Sequence, residues 1–342
     1  AVFVGGLVVG IPVAITLGLS SLVYLLMSGI PPVVMPQKMY AGMDVFVLLS
    51  IPGFILAGNL MNQGGITNRI IRFAQALIGW VRGGLGLTNI AASMLFGGIT
   101  GTAVADAASI GGVMIPGMKK AGYPAAFSAA VTAASSTVGP IIPPSVPMII
   151  VGALSGISVG KMFLAGAMPG ILMGLAMMVT AYWISRRNNH PREAWAGWGE
   201  VARSFAGAFW ALFMTFLIVY GLLSGLSTPT ETAVVASVYA LLVGVLIYRE
   251  LRLRALPGII IESAVSAAGI LALVGFANVF GWILVSERIP QAIADGVLGI
   301  TDNKFLVILI INLLLLFVGM FMETIAALII LFVPLLSLAE AV

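Results

Sequence analysis

Apolar runs long enough to cross a bilayer follow one another along this chain, and almost no charge interrupts them. A membrane helix needs about 20 consecutive, mostly apolar residues. Hydrophobic residues are 61% of the 342, charged residues 8%, and mean hydropathy is +1.15. A soluble domain carries about 25% charge. The expected fold class is therefore an all-α polytopic membrane protein. Cysteine is absent, which excludes a disulfide framework and a thiolate metal site. The single histidine, His190, lies in "RRNNHPREAW" and reads as a solvated loop residue. Ala1 opens directly in an apolar stretch without a charged flank, so no cleavable signal peptide is evident, and both chain ends read as cut.

The pI near 9.5 does not point to nucleic acid once the basic residues are placed. Spans are expected over 3–30, 45–62, 125–156, 160–184, 205–225, 229–248 and 257–285, and the loops between them alternate in charge. With the Arg69–Arg82 loop inside, the inside segments hold 12 of the 16 basic residues: Arg69, Arg72, Arg82, Lys119, Lys120, Arg186, Arg187, Arg192, Arg203, Arg249, Arg252 and Arg254. Cytoplasmic loops collect Lys and Arg, so this map satisfies the rule.

The stretch 85–117 does not fit a simple crossing. It is 33 residues long with basic residues at both ends, and its middle reads "FGGITGTAVADAASIGG". Two full spans need about 40 residues, and one span would put the two basic clusters on opposite faces. The economical solution is a re-entrant hairpin with arms of about 12–15 residues, since glycine-rich sequence makes a poor continuous helix. The run 304–340 repeats the anomaly, with Glu323 at mid-length and no basic exit. "FGGITGTAVADAASIGGVMIP" and "FVGMFMETIAALIILFVP" share Phe, Gly, a small or polar tip, one carboxylate and a later proline. On the topology map the second hairpin enters from outside, as an inverted repeat would. In transporters so built, discontinuous helices meet near the bilayer midplane to form the site.

Residues 137–147, "TVGPIIPPSVP", lie inside an apolar span and hold Gly139, Pro140, Pro143, Pro144 and Pro147. A lone proline would be an ordinary kink; four after a glycine favour a functional break. Broken backbone at membrane depth is tolerated only where protein covers it or a watered cavity meets it. Freed carbonyls are hard oxygen donors, and half-helix ends add favourable dipoles. With the hydroxyls of 135–137 and with Thr100 and Thr102 at the hairpin tip, the break resembles a sodium site. Asp106 and Glu323 are carboxylates at membrane depth, either functional or protonated and satisfied by a neighbouring backbone group. "STPTET" at 227–232 reads as a capping box on Thr228 and Glu231 with Pro229 at the first helical position. Glu262 stays open between an interfacial residue and a partner for a moving helix. Asn278 is a candidate for an interhelical hydrogen bond, and the 17 methionines read as packing.

The segment "GGITGTAVADAASIGGVMIPGMKKAGYPAAFSAAVTAASSTVGPIIPPSVPMIIVG", with "GLSTPTETAVVASVYAL" and "GMFMETIAALIIL", resembles the large membrane (M) subunit of tripartite ATP-independent periplasmic (TRAP) transporters. The likeness spans essentially the whole chain. It implies an elevator-type secondary transporter of the ion-transporter superfamily, in the bacterial inner membrane. Such a transporter imports a small organic acid with sodium and works with a periplasmic substrate-binding (P) subunit and a small four-helix membrane (Q) subunit. By resemblance one sodium lies at Thr100 and at the carbonyls of Gly139, Ile142 and Pro144, and substrate lies near Thr102, Ser158 and Glu323. The family often has aspartate where Glu323 stands. The implied organisation is scaffold over 1–84 and 161–256, and transport core over 85–160 and 257–342. A second broken helix, which would complete another sodium site, is not in this sequence.

An intramembrane enzyme is the alternative of a different class, and the sequence lacks its parts: no HExxH, no GxSxG, and Asp106 as the only intramembrane aspartate. A channel does not account for paired opposed hairpins. The nearest rival is a stand-alone sodium-coupled carboxylate carrier of the same superfamily.

Overall fold

Glycine and proline decide where the helices of this chain stop. The computed structural model describes residues 2–299, 301, 303–320, 322 and 324–340, the side chains of 98–100, 294, 333, 337, 339 and 340 excepted. The first apolar run is two helices, α1 (Val2–Val9) and α2 (Val13–Met27), and not the single span expected over 3–30. Gly10 at φ +83° turns the chain and Pro12 starts α2, since proline cannot donate to a continuing helix. α3 (Val34–Met43), α4 (Ser50–Gln63) and α5 (Ile66–Ile78) follow. Next come α6 (Gly84–Thr100), α7 (Ala103–Lys120), α8 (Ala125–Ser136) and α9 (Val146–Ser155). The chain continues as α10 (Val159–Arg187), α11 (Trp198–Leu223) and α12 (Pro229–Leu242), the last extended by a π-helical turn over Val243–Ile247. It closes with α13 (Leu256–Ser286), α14 (Ile289–Leu298), α15 (Lys304–Gly319) and α16 (Thr324–Glu340). No strand occurs among the described residues.

Among the described residues, five helical stretches are long and apolar enough to cross a membrane: Phe46–Gln63, Val159–Arg187, Trp198–Leu223, Pro229–Ile247 and Leu253–Ser286. Multi-pass membrane architecture is thus plain in the structure. The expected capping box is present at α12: Thr228 Oγ1 accepts from Glu231 N at 3.3 Å, and Thr228 N donates to Glu231 Oε2 at 2.8 Å.

The chain divides into two compact units, residues 1–48 with 267–342, and residues 49–266. In the first, Asn278 of α13 lies against Gly42 of α3, where a side chain in place of the glycine hydrogen would collide with it. In the second, α4 packs along α12, α5 along α6 and α11, and α6 along α7, α8 and α10. α5 is amphipathic: Ile66, Ile70, Ile71 and Ala74 are buried while Arg72 stays exposed. Arg69 stacks over the Tyr248 ring at 3.9 Å and pairs with Glu250 at 2.7 Å, which ties the α4–α5 corner to the basic segment after α12.

Candidate functional site

The α6–α7 pair is a tight helical hairpin whose tip is two residues long. Gly101, at φ +62°, ends α6 in the left-handed region that glycine enters freely. Thr102 is extended and caps α7, its hydroxyl accepting from Ala105 N at 3.4 Å. The arms hold 17 and 18 residues and not the 12–15 expected, because α6 starts at Gly84 and α7 runs on through Lys119 and Lys120.

The proline stretch does break a helix. α8 stops at Ser136 and α9 begins at Val146, so nine residues between them are irregular. Pro147 lies outside the gap that the sequence reading drew, in the first turn of α9, where its missing N–H costs nothing. Within the gap Ile141 N and Ile142 N both reach Val138 O, at 2.9 and 3.0 Å. Ser145 donates its hydroxyl to Pro140 O and accepts from Met148 N, capping α9. The Pro143–Pro144 peptide is cis.

The hairpin tip sits directly on this gap. Val146 N donates to Gly101 O at 3.4 Å. A Cβ added to Gly97 would lie 2.7 Å from Gly139 Cα, and one added to Gly101 would lie 2.9 Å from Pro144 O. A Cβ at Gly139 would meet Thr102 O at 3.4 Å and Asp106 Cβ at 3.7 Å. From the other side, α10 presents Gly166 and Gly170 to the gap: Cβ atoms there would lie 2.8 Å from Ile141 O and 2.7 Å from Ile142 Cγ1. Glycines let α6, the hairpin tip and α10 approach the gap closely, with backbone against backbone at Gly97–Gly139, Gly101–Pro144 and Gly166–Ile141, and broken backbone at membrane depth needs such protein cover.

The structure thus brings Thr102, Gly139, Ile142 and Pro144 into one neighbourhood. Thr100 ends α6 beside them; its side chain, like all of Glu323, lies outside the described residues. Ser158 is exposed and precedes α10; its neighbours Ile157 and Val159 lie against Gly152 of α9, where an added Cβ would come within 3.1 and 3.0 Å of them.

A polar ladder runs down from the gap between α6 and α8; the sequence reading picked out its Ser135 and Ser136 hydroxyls beside the break but not Asn89, Ser93 or Thr132. Asn89 donates to Thr132 Oγ1 at 2.7 Å, Ser93 to Ser135 Oγ at 3.0 Å, and Ser136 to Thr132 O at 2.8 Å, all fully or almost fully buried. The signal was present as i, i+4 spacing of Asn89 with Ser93 and of Ser128 with Thr132 and Ser136 in otherwise apolar helices.

The loop between α10 and α11 gathers both ends of the hairpin. Pro191 O accepts from Gly83 N at 3.2 Å and from Tyr123 Oη at 2.9 Å. His190 is 7% exposed and not solvated as the sequence reading had it. Its ring packs on Phe127 at 4.5 Å and Tyr123 at 5.1 Å, and Nδ1 lies 3.1 Å from Ser185 Oγ. Burial pushes the imidazole below its ordinary value, and Nε2 has no partner among the described residues. The neutral ring is favoured in the fold, so the unfolded chain takes up the proton first. Stability is then full above the unfolded value near 6.5 and is lost as pH falls below it. Thermal unfolding of the detergent-solubilised subunit between pH 8 and 5.5 is expected to show this loss. His190→Gln, neutral throughout, should flatten that part of the profile; an unchanged profile would place the titration elsewhere.

A membrane-embedded helical protein with a hairpin tip seated on a broken helix is the class that fold and site define. Residues 1–342 match the sequence model of the family described as tripartite ATP-independent periplasmic transporter, DctM component. The sialic acid TRAP transporter large permease protein SiaM of Vibrio cholerae is 41% identical over 99% of this chain and 80% of its own length. The 2,3-diketo-L-gulonate TRAP transporter large permease protein YiaN of Escherichia coli is 38% identical, covering 93% and 75%. The C4-dicarboxylate TRAP transporter large permease protein DctM of Pseudomonas aeruginosa is 37% identical, covering 86% and 69%. This chain belongs to the TRAP transporter large permease family. These relatives are named as large permease proteins of TRAP transporters.

Proposed function

We propose that this chain is the translocation subunit of a sodium-coupled, binding-protein-dependent importer of a small organic acid in the bacterial inner membrane. One observation carries the reading most: the α6–α7 tip is seated on the α8–α9 gap by backbone contacts, while Pro191 receives hydrogen bonds from both ends of the hairpin. A helical pair that leaves and returns to one loop, with its tip against broken backbone, fits a re-entrant hairpin. Sodium is a cargo here, held by the Thr100 hydroxyl and the carbonyls of Gly139, Ile142 and Pro144. These residues fit a hard monovalent cation, since oxygen atoms are the donors and the gap frees backbone carbonyls of helical partners.

The substrate class rests on the relatives, whose names give sialic acid, 2,3-diketo-L-gulonate and C4-dicarboxylate, all organic acids. In this reading Thr102, Ser158 and Glu323 contact the substrate. The moving core in this reading is formed by 85–160 and 257–342, against scaffold segments 1–84 and 161–256, so Thr102, Ser158 and Glu323 would all travel with the substrate.

Reconstitution into proteoliposomes with the small membrane subunit tests the proposal. Uptake of a carboxylic acid should need both an inward sodium gradient and a cognate periplasmic binding protein. Sodium-driven uptake without any binding protein would instead identify a stand-alone carboxylate carrier, and binding-protein-dependent uptake indifferent to sodium would remove the coupling.

A further inference from the structure

The loop between α10 and α11 joins two helices that are each long and apolar enough to span a bilayer, so residues 188–197 belong at the membrane surface. Three of the six tryptophans gather there, beside the end of α5. Trp80 meets Trp195 edge-to-face at 5.7 Å, and Trp195 meets Trp198 likewise at 5.6 Å. All three rings are exposed, and exposed tryptophan in such a place marks the depth of the lipid headgroups.

A cleft of about 280 Å³ opens beside them, walled by Arg72, Gln75, Trp80, Glu193, Ala196 and Glu200. Its two sides are tied together. Glu193 N donates to Gly79 O at 3.2 Å, and Gln75 Nε2 donates to both Glu193 carboxylate oxygens at 2.8 Å. Gly79 leaves room for that carboxylate, since a Cβ there would lie 3.1 Å from Glu193 Oε2. Trp80 Nε1 donates to Leu77 O at 2.9 Å, which fixes the indole.

The charges of the cleft are not balanced from within. Arg72 is exposed and has neither a hydrogen bond nor an ion pair among the described residues. Glu193 is held by a neutral amide, and Glu200 pairs with Arg203 at 2.9 Å on the exposed rim. A bare anion at Arg72 would face two carboxylates, and a bare cation at the carboxylates would face Arg72. A zwitterion with a phosphate and a primary ammonium satisfies both sides. Guanidinium matches phosphate oxygens, and an ammonium matches a carboxylate and an indole face. The apolar surface that acyl chains need begins at the same place. Phe73, next to Arg72, packs on Phe205 of α11 at 5.5 Å, and Phe209, Phe213 and Phe216 continue an exposed aromatic ridge along that helix.

We propose that this cleft binds the headgroup of one phosphatidylethanolamine molecule, its phosphate on Arg72, its ammonium on Glu193 and Trp80, and its chains against the α11 ridge. A lipid held there braces the same loop that receives both ends of the α6–α7 hairpin through Pro191.

Native mass spectrometry of the delipidated transporter complex tests this, with phosphatidylethanolamine, phosphatidylglycerol or phosphatidylcholine of matched chains titrated in detergent. The wild type should bind the first phosphatidylethanolamine about three- to fivefold more tightly than either other lipid, the upper range for exposed ion pairs. Phosphatidylglycerol lacks the ammonium, and phosphatidylcholine carries methyl groups where Glu193 needs N–H donors. Arg72→Gln should weaken phosphatidylethanolamine binding by a similar factor, and Glu193→Gln should erase its advantage over phosphatidylglycerol. Both variants should keep the fold, because Arg72 has no partner to lose and an amide oxygen at 193 can still accept from Gln75. Equal wild-type affinity for the three lipids, or a preference that survives both substitutions, would overturn the site. A wild-type preference for phosphatidylglycerol would reveal a merely basic surface instead. Displacement of the bound lipid by excess soluble glycerophosphoethanolamine would also count against a lipid site, since the chains would then contribute nothing.

Discussion

Gly97→Ala is expected to raise the sodium concentration for half-maximal uptake by roughly tenfold or more, although the altered residue is not a ligand. The added methyl would lie 2.7 Å from Gly139 Cα and 3.2 Å from Gly139 N. Both are backbone atoms, so no side chain can swing aside, and either α6 or the gap must move. Overpacking of this kind costs about 1–3 kcal/mol, equivalent to about five- to more than a hundredfold in an equilibrium. The gap is the softer partner, because nine residues there lack helical hydrogen bonding while α6 is continuous. The strain should therefore appear at the Gly139 carbonyl. Gly139→Leu should act more strongly still, since its branched side chain meets Ser136 O, Thr102 O and Asp106. Gly112→Ala is the matched control: it sits in α7 with nothing within 4 Å of the new Cβ, and an alanine in a helix interior is favourable by about 0.5–1 kcal/mol. Sodium uptake curves that coincide for wild type and Gly97→Ala, at equal membrane abundance, would show that the ion is not held at Gly139.

Much of this geometry was legible in the sequence because it is written in residues with one dominant physical property. Pro140, Pro143 and Pro144 cannot complete a helix, and the gap falls where they are. Gly101 marks the hairpin tip through its positive φ, and Thr228-Pro229-Thr230-Glu231 forms the cap its pattern predicts. Other features depended on tertiary contacts that a linear reading does not contain. The hydrophobic run over 3–30 reads as one span by length, yet Gly10 and Pro12 divide it. α5 has a clear apolar stripe, but its intervening arginines made the segment read as a polar loop. His190 looked solvated because its neighbours in sequence are charged, whereas its neighbours in space are Phe127 and Tyr123.

Cysteine substituted at Arg82 and at Ala121 should label from the same, cytoplasmic face, with Gln37→Cys and Lys304→Cys labelling from the other. The protein has no native cysteine, so each signal comes from one site. Arg82 and Ala121 are both exposed and flank the α6–α7 hairpin. Gly83 is less suitable, because its φ of +74° disfavours a side chain and a Cβ there would collide with Ser185. The expectation has a specific basis. Gly83 N and Tyr123 Oη both bond to Pro191 O, in a loop flanked by Arg186, Arg187 and Arg192. Each arm is about 25–27 Å long at 1.5 Å per residue, slightly less than the roughly 30 Å hydrocarbon core. A tilted pair of that length carries its tip deep into the bilayer and returns, where the broken backbone of 137–145 can meet it under protein cover. Two full crossings would give the same labelling for 82 and 121, so a third probe separates them. Thr102→Cys should react with a small membrane-permeant reagent and resist bulky impermeant ones from the outer face. Labelling of positions 82 and 121 from opposite faces would mean that α6 and α7 cross the membrane once between them, and ready outer-face labelling of position 102 would mean that they cross it twice. Either result would remove the re-entrant hairpin, and with it the membrane-depth sodium site proposed at its tip.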